Sequence, residues 1–145
     1  MTNNQYINAY KKTQQSSNVV TSSHEIVRTL MKELVNSMQK IVLDIQEERK
    51  RKQDQFSIDK DFEEKNALHR SKNLSKSLSI IYGLQTSLDF DKALEIANNL
   101  FQLYEFCRHE IIKGFSQKIE DGILKAIDVI NQIMEGWEKI PSIER

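Results

Sequence analysis

One cysteine, one proline and four glycines in 145 residues leave this chain with little turn punctuation. Few turns favour long helices over a many-stranded sheet. A lone Cys107 excludes an internal disulfide and suits a reducing compartment. Charge of one sign is also missing: 21 Lys and Arg stand against 21 Asp and Glu, so there is no broad basic field to hold a phosphate backbone. No apolar run approaches the roughly 18–20 residues of a membrane span. The opening stretch MTNNQYINAYKKTQQSSN lacks the apolar centre of a signal peptide. These absences lead us to expect a cytoplasmic protein with no membrane anchor and no nucleic-acid partner.

What is present is 39 % hydrophobic and 29 % charged residues, suited to one globular domain with a single core. Residues 1–18 are polar except for an island of Tyr6, Ile7 and Tyr10, and are expected to form a flexible N-terminal segment. Ile26, Val27, Leu30, Met31, Leu34, Met38, Ile41 and Ile45 then recur at spacings of three and four, marking the first long helix. Ser22 with Glu25 makes a capping box, with Ser23 the other candidate cap. The cluster Arg49 to Lys52 reads as a solvated helix end that complements the helix dipole.

A second helix is expected from Asp59 or Asp61 to about Thr86. Its main stripe is Leu74, Leu78, Ile81, Gln85 and Leu88, with Ile80 and Leu84 on a shoulder. Asp89 and Asp91 suit the first turn of a third helix. Gly114 fits the left-handed residue that ends it, and Ser116 the cap of a fourth. The fourth carries Ile119, Ile123, Ile127, Ile130, Met134 and Trp137 on one face, and Pro141 follows it. No stretch alternates with period two. Four helices with mostly short connections predict an all-α, antiparallel up-down four-helix bundle over 19–140, followed by a short tail at 141–145.

The third helix is apolar in too many directions for one buried face. Ala93, Leu100, Tyr104, Cys107 and Ile111 form one stripe at about 100° per residue. Leu94, Phe101 and Ile112 lie to one side of it, and Ile96, Leu103 and Phe106 to the other. Either neighbouring helices cover both shoulders, or the shoulders line grooves for another chain.

Catalytic chemistry has little to stand on. Of the three histidines, His24 opens a helix, His69 lies among polar residues, and His109 follows Glu105 by four without a second metal half-site. Paired Glu-x-x-His motifs and a Gly-rich phosphate loop are absent. No His or Asn is placed to activate Cys107. No metal, cofactor or enzymatic activity is expected.

The stretch SLDFDKALEIANNLFQLYEF resembles the centre of the flagellar secretion chaperone family, the FliS-type export chaperones. The resemblance rests on Ser87-Leu88-Asp89, Ile96-Ala97, Asn99-Leu100, and Leu103-Tyr104 with Phe106. Val19, Thr21 and Ser23 are similar to the family's opening of its first long helix, Trp137 to its closing Trp segment, and YINAY to its Tyr-containing amino terminus. Departures are His24 for Pro, Lys32 for Tyr, Ala93-Leu94 for a Gly pair, and His109-Glu110 for an Arg pair.

This resemblance implies a non-enzymatic chaperone that binds the disordered carboxyl-terminal segment of flagellin, prevents its premature polymerisation and presents it to the type III export gate. A co-chaperone or regulatory protein is a further implied partner, and the free protein is expected to be a monomer. The expected groove residues are Ile80, Leu84, Leu94, Ile96, Phe101, Leu103, Phe106 and Ile112. Tyr6, Ile7 and Tyr10 are the expected docking segment. A bundle that regulates a different client helix, or that self-associates through the same shoulders, is the alternative.

Overall fold

Long apolar repeats and few breakers produce four helices, and these carry the fold. The computed structural model describes residues 23–54 and 59–139. Helix α1 spans Ser23–Gln53, α2 Lys60–Thr86, α3 Leu94–Gln117 and α4 Asp121–Glu138. The aromatic island Tyr6, Ile7 and Tyr10, Ser22 and Pro141 lie outside the described residues.

The helices pack in a ring, α1 beside α2 and α4, and α3 beside the same two, so that α1 and α3 are diagonal. Side-chain pairings fix the antiparallel sense. Glu33 meets Lys76 and Asp44 meets His69 between α1 and α2, while Arg28 meets Glu138 between α1 and α4. The centre is filled by Leu30, Met31, Leu34, Met38, Ile41 and Ile45 of α1, against Ile80, Ile81 and Leu84 of α2. Tyr104, Cys107 and Ile111 of α3 close it from one side, and Ile123, Ala126 and Ile130 of α4 from another. The expected four-helix bundle is the observed fold.

Local chemistry explains most helix ends and corrects several expectations. Asp59 caps α2, its carboxylate accepting the N–H of Phe62 at 2.7 Å. Asp89, by contrast, is not in the first turn of α3. Its side chain accepts the N–H groups of Asp91 and Lys92, folding 89–92 into a tight turn before the helix starts at Leu94. Asp91 lies in that turn as well.

Gly114 does not end α3. It is buried inside the helix where α4 crosses, and a Cβ there would lie 2.7 Å from the Ile119 carbonyl and from Ile123. The left-handed residue is Lys118, at φ 56°, whose N–H returns to the Gly114 carbonyl. Ser116 is accordingly part of α3, and α4 starts after Glu120 with no side-chain cap. Ile119 falls in the connection and is largely exposed rather than on the α4 core stripe.

The core line of α2 is rotated from the one its apolar residues suggest. Asn66, Arg70, Asn73, Ser77, Ile80, Ile81, Leu84 and Gln85 are buried, whereas Leu78 is half-buried. The first half of that line is polar, and three of its four polar side chains are hydrogen-bonded. Asn66 donates to the Asp44 carbonyl, Asn73 to the His69 carbonyl, and Arg70 to Glu48 and to Asn66.

A candidate client groove on either side of helix α3

The cross-section is asymmetric in how its seams are closed. Among the described residues, every ion pair between different elements includes α1. Arg28–Glu138 and Lys76–Glu33 lace its flanks. Glu48 gathers Lys118, Arg70 and Lys52 at 3.0, 3.4 and 3.7 Å, and Arg49 holds Glu120 with both guanidinium prongs. Burial alone would raise the Glu48 carboxyl, but the three cations outweigh it and hold it below the ordinary carboxylate range. His24 and Trp137 add a clasp where α4 ends against α1: their rings stack at 5.1 Å, and each donates to the other's backbone carbonyl.

The seams beside α3 carry apolar side chains instead. Its buried stripe is Ala97, Tyr104, Cys107, Ile111 and Gly114, with Leu100 packed against it. That matches the expected stripe, except that Ala93 stands just before the helix. The shoulders remain open. Leu94, Ile96, Leu103, Phe106 and Ile112 all rank among the exposed large hydrophobics.

On the α2 side, Leu94, Phe101 and Ile112 share one flank of α3. Phe101 is half-buried and receives Phe90 edge-on, centroids 6.3 Å apart. Leu78 and Tyr82 of α2 continue this surface, and Tyr82 is half exposed. On the α4 side, Ile96, Leu103 and Phe106 share the other flank. There α4 presents Val129 and Ile133, three and seven residues beyond Ala126, whose carbonyl sits over the Cys107 thiol.

Two expected groove residues are core residues. Ile80 and Leu84 are fully buried in the centre of the bundle, because the α2 core line runs through them rather than through Leu78. Conversely, Leu78, Tyr82 and Phe90 border the α2 side without having been expected there. Leu78 carried a signal, but as a member of the expected core stripe of α2; Phe90 sits in a turn, where periodicity says nothing.

Burial pushes the Cys107 thiol up to about 12 and the Tyr104 phenol well above its usual range. Cys107 therefore stays protonated near neutrality and packs as a small hydrophobe. Glu105 is engaged by Arg108, through Nε at 3.0 Å and Nη2 at 2.9 Å, and by Gln85 at 2.9 Å. Those hydrogen bonds hold its carboxyl below the usual range. His109 is exposed, and among the described residues no group of three His, Cys, Asp or Glu is arranged to hold a metal ion. No helix among them is long and apolar enough to cross a membrane.

Comparison with known proteins converges on the same family. The chain is 31 % identical over 72 residues to a flagellar secretion chaperone FliS of Vibrio cholerae, covering 50 % of this chain and 53 % of that protein. It is 29 % identical over 79 residues to a flagellar secretion chaperone FliS of Salmonella typhimurium, covering 54 % of this chain and 58 % of that one. The chain thus spans about half the length of the curated relatives it matches. No solved structure matches it significantly. The family model for flagellar protein FliS matches residues 6–144, nearly the whole sequence, and the chain belongs to the FliS family.

Proposed function

We propose that this protein is a cytoplasmic, non-enzymatic flagellar export chaperone whose client is the disordered carboxyl-terminal segment of flagellin. The client folds along the apolar seams beside α3, is kept from polymerising, and is handed to the export apparatus. The observation that carries this reading is the pair of exposed apolar shoulders on α3, flanking a stripe that already serves the core. Membership of the FliS family, whose matched relatives are flagellar secretion chaperones, supports a flagellar client.

The energetics suit such a role. Each large apolar side chain buried by a client contributes roughly 1.5–3 kcal/mol. Ordering a disordered segment costs on the order of 2–5 kcal/mol or more, so several contacts are needed, and the two shoulders offer Leu94, Phe101 and Ile112 on one side and Ile96, Leu103 and Phe106 on the other. An amphipathic client helix engages such a seam through anchors at i, i+3, i+4 and i+7. In this reading residues 19–140 form the holding bundle, and Tyr6, Ile7 and Tyr10 act as a docking segment toward the grooves or the export gate.

Isothermal titration with the carboxyl-terminal segment of flagellin from the same organism tests the proposal. One-to-one binding with a large negative heat-capacity change is expected, the signature of apolar burial by a folding client. Absence of heat and of co-elution, with both partners intact, overturns it.

A further inference from the structure

The seam between α2 and α3 is not uniformly apolar. Midway along it, a shallow open depression is lined by Leu78, Ser79, Tyr82, Gln85, Glu105 and Arg108. Its polar groups are held in place by one another. Gln85, buried on α2, donates through Nε2 to Glu105 at 2.9 Å and reaches the Phe101 carbonyl at 3.5 Å. Glu105 also takes two hydrogen bonds from Arg108, using its Nε and Nη2.

This arrangement leaves a donor and acceptors fixed side by side. Arg108 Nη1 makes no hydrogen bond within the described residues, and neither does Gln85 Oε1; Glu105 is an ionised acceptor with lone pairs to spare. A client carboxylate placed here lies against Glu105, and a client ammonium lies against Arg108, so each charge meets a like charge. An apolar side chain strips water from groups that it cannot satisfy. A side-chain carboxamide fits both sides: its oxygen accepts from Arg108, and its NH2 donates to Glu105 or Gln85.

We propose that Gln85, Glu105 and Arg108 form a shelf that sets the register of the client by taking one asparagine or glutamine side chain. The inference rests on the groove reading above and adds to it a chemical preference at one position. Apolar shoulders alone allow a client helix to slide by a turn; a single polar site in a hydrophobic seam penalises the slipped registers. The shelf therefore contributes selectivity more than affinity.

The test titrates wild type, Glu105→Gln, Arg108→Gln and Phe101→Ala with the flagellin carboxyl-terminal segment. It also uses segments in which each Asn or Gln is changed in turn to Ala, or to its acidic counterpart. Both shelf side chains are partly exposed, so thermal midpoints close to wild type are expected and checked first. Substitution of one client carboxamide by Ala is expected to weaken wild-type binding about tenfold, as for loss of a hydrogen bond to a charged group. The acidic counterpart at that position is expected to bind poorly to wild type and to recover with Glu105→Gln, where Arg108 is released from its internal partner.

The shelf is overturned if no carboxamide substitution weakens binding, or if both shelf variants bind as wild type while Phe101→Ala does not; the groove then stands without it. A wild-type protein that binds no flagellin segment overturns both, and Phe101→Ala is then uninformative by design.

Discussion

Two isoleucines fifteen residues apart on α3 provide a controlled experiment, because the same substitution should have opposite consequences. Ile111 is 0 % exposed on the core stripe, whereas Ile96 is 63 % exposed on the α4-side shoulder. Ile→Ala removes three carbons, worth about 0.8 kcal/mol each when fully buried, or about 2.4 kcal/mol. For Ile96 the fraction already covered accounts for about 0.9 kcal/mol of folding stability, and the exposed fraction leaves about 1.5 kcal/mol for a client to gain. The better helix propensity of Ala returns a few tenths of a kcal/mol. At Ile111 the cavity left behind adds to the transfer loss, giving about 2–5 kcal/mol.

Thermal unfolding should therefore place Ile111→Ala about 6–25 °C below wild type and Ile96→Ala within about 4 °C of it, at roughly 3–5 °C per kcal/mol for a bundle of this size. Titration with the flagellin segment should show Ile96→Ala weakened about tenfold, near 1.5 kcal/mol. Equal thermal losses would refute the assignment of Ile96 to an open seam. A thermal match to wild type combined with an unchanged dissociation constant would remove the α4 side from the client path.

Gly114→Ala should lower stability by about 1–3 kcal/mol in chemical denaturation, despite the better helix propensity of Ala, because the new Cβ meets the Ile119 backbone carbonyl at 2.7 Å. Glu48→Gln should cost about 2–3 kcal/mol, at the lower end for a buried pair because Lys118 and Lys52 keep contact with water. The Glu48 carboxyl is depressed in the folded state, so the unfolded chain binds its proton first. Its stabilising contribution is present above the unfolded carboxylate range and is lost as pH falls through the folded one. The acid limb of the wild-type stability profile should thus be steeper than that of Glu48→Gln, measured by denaturant midpoints from pH 7 to pH 3. Deleting residues 1–17 should leave the bundle's thermal midpoint unchanged while altering client affinity or delivery; no change in either refutes a docking role for Tyr6, Ile7 and Tyr10.

How far the fold could be read from the sequence depended on what each helix buries. Helix α1 was legible because nearly all of its core line is apolar, so periodicity and burial coincide from Ile26 to Ile45. In α2 they part company. Asn66, Arg70, Asn73 and Ser77 occupy its inward line, and a reading weighted by apolar residues rotates the stripe toward Leu78 and away from Ile80 and Leu84. Asn66 and Arg70 are inward because α1 offers the Asp44 carbonyl and Glu48 opposite them, a cross-helix fact with no trace in local spacing, while Asn73 is satisfied by the His69 carbonyl of its own helix. Gly114 failed similarly. Its signal as a helix terminator is the same absence of a side chain that lets α4 approach, and only the position of Ile119 and Ile123 separates the two uses.

The exposed flanks of α3 were legible where excess, rather than pattern, carried the information. A surface helix needs one apolar stripe, and α3 has a stripe with two apolar flanks; the structure leaves most of those flank residues to solvent. The contrast with α1 gives this a physical meaning. Ion pairs hold α1 to α2 and α4, so those seams are closed by geometry that tolerates no insertion without breaking charge partners. Beside α3 the contacts are mainly apolar and non-directional, apart from the cluster around Glu105 and the weak bond from the Cys107 thiol to the Ala126 carbonyl, and such surfaces can exchange one apolar neighbour for another at little cost. The ion-paired helix α1 and the apolar-flanked helix α3 thus stand at opposite ends of one diagonal of the ring. If the proposed client lies in these seams, the exposed directional contacts at Gln85, Glu105 and Arg108 are where discrimination between clients should reside.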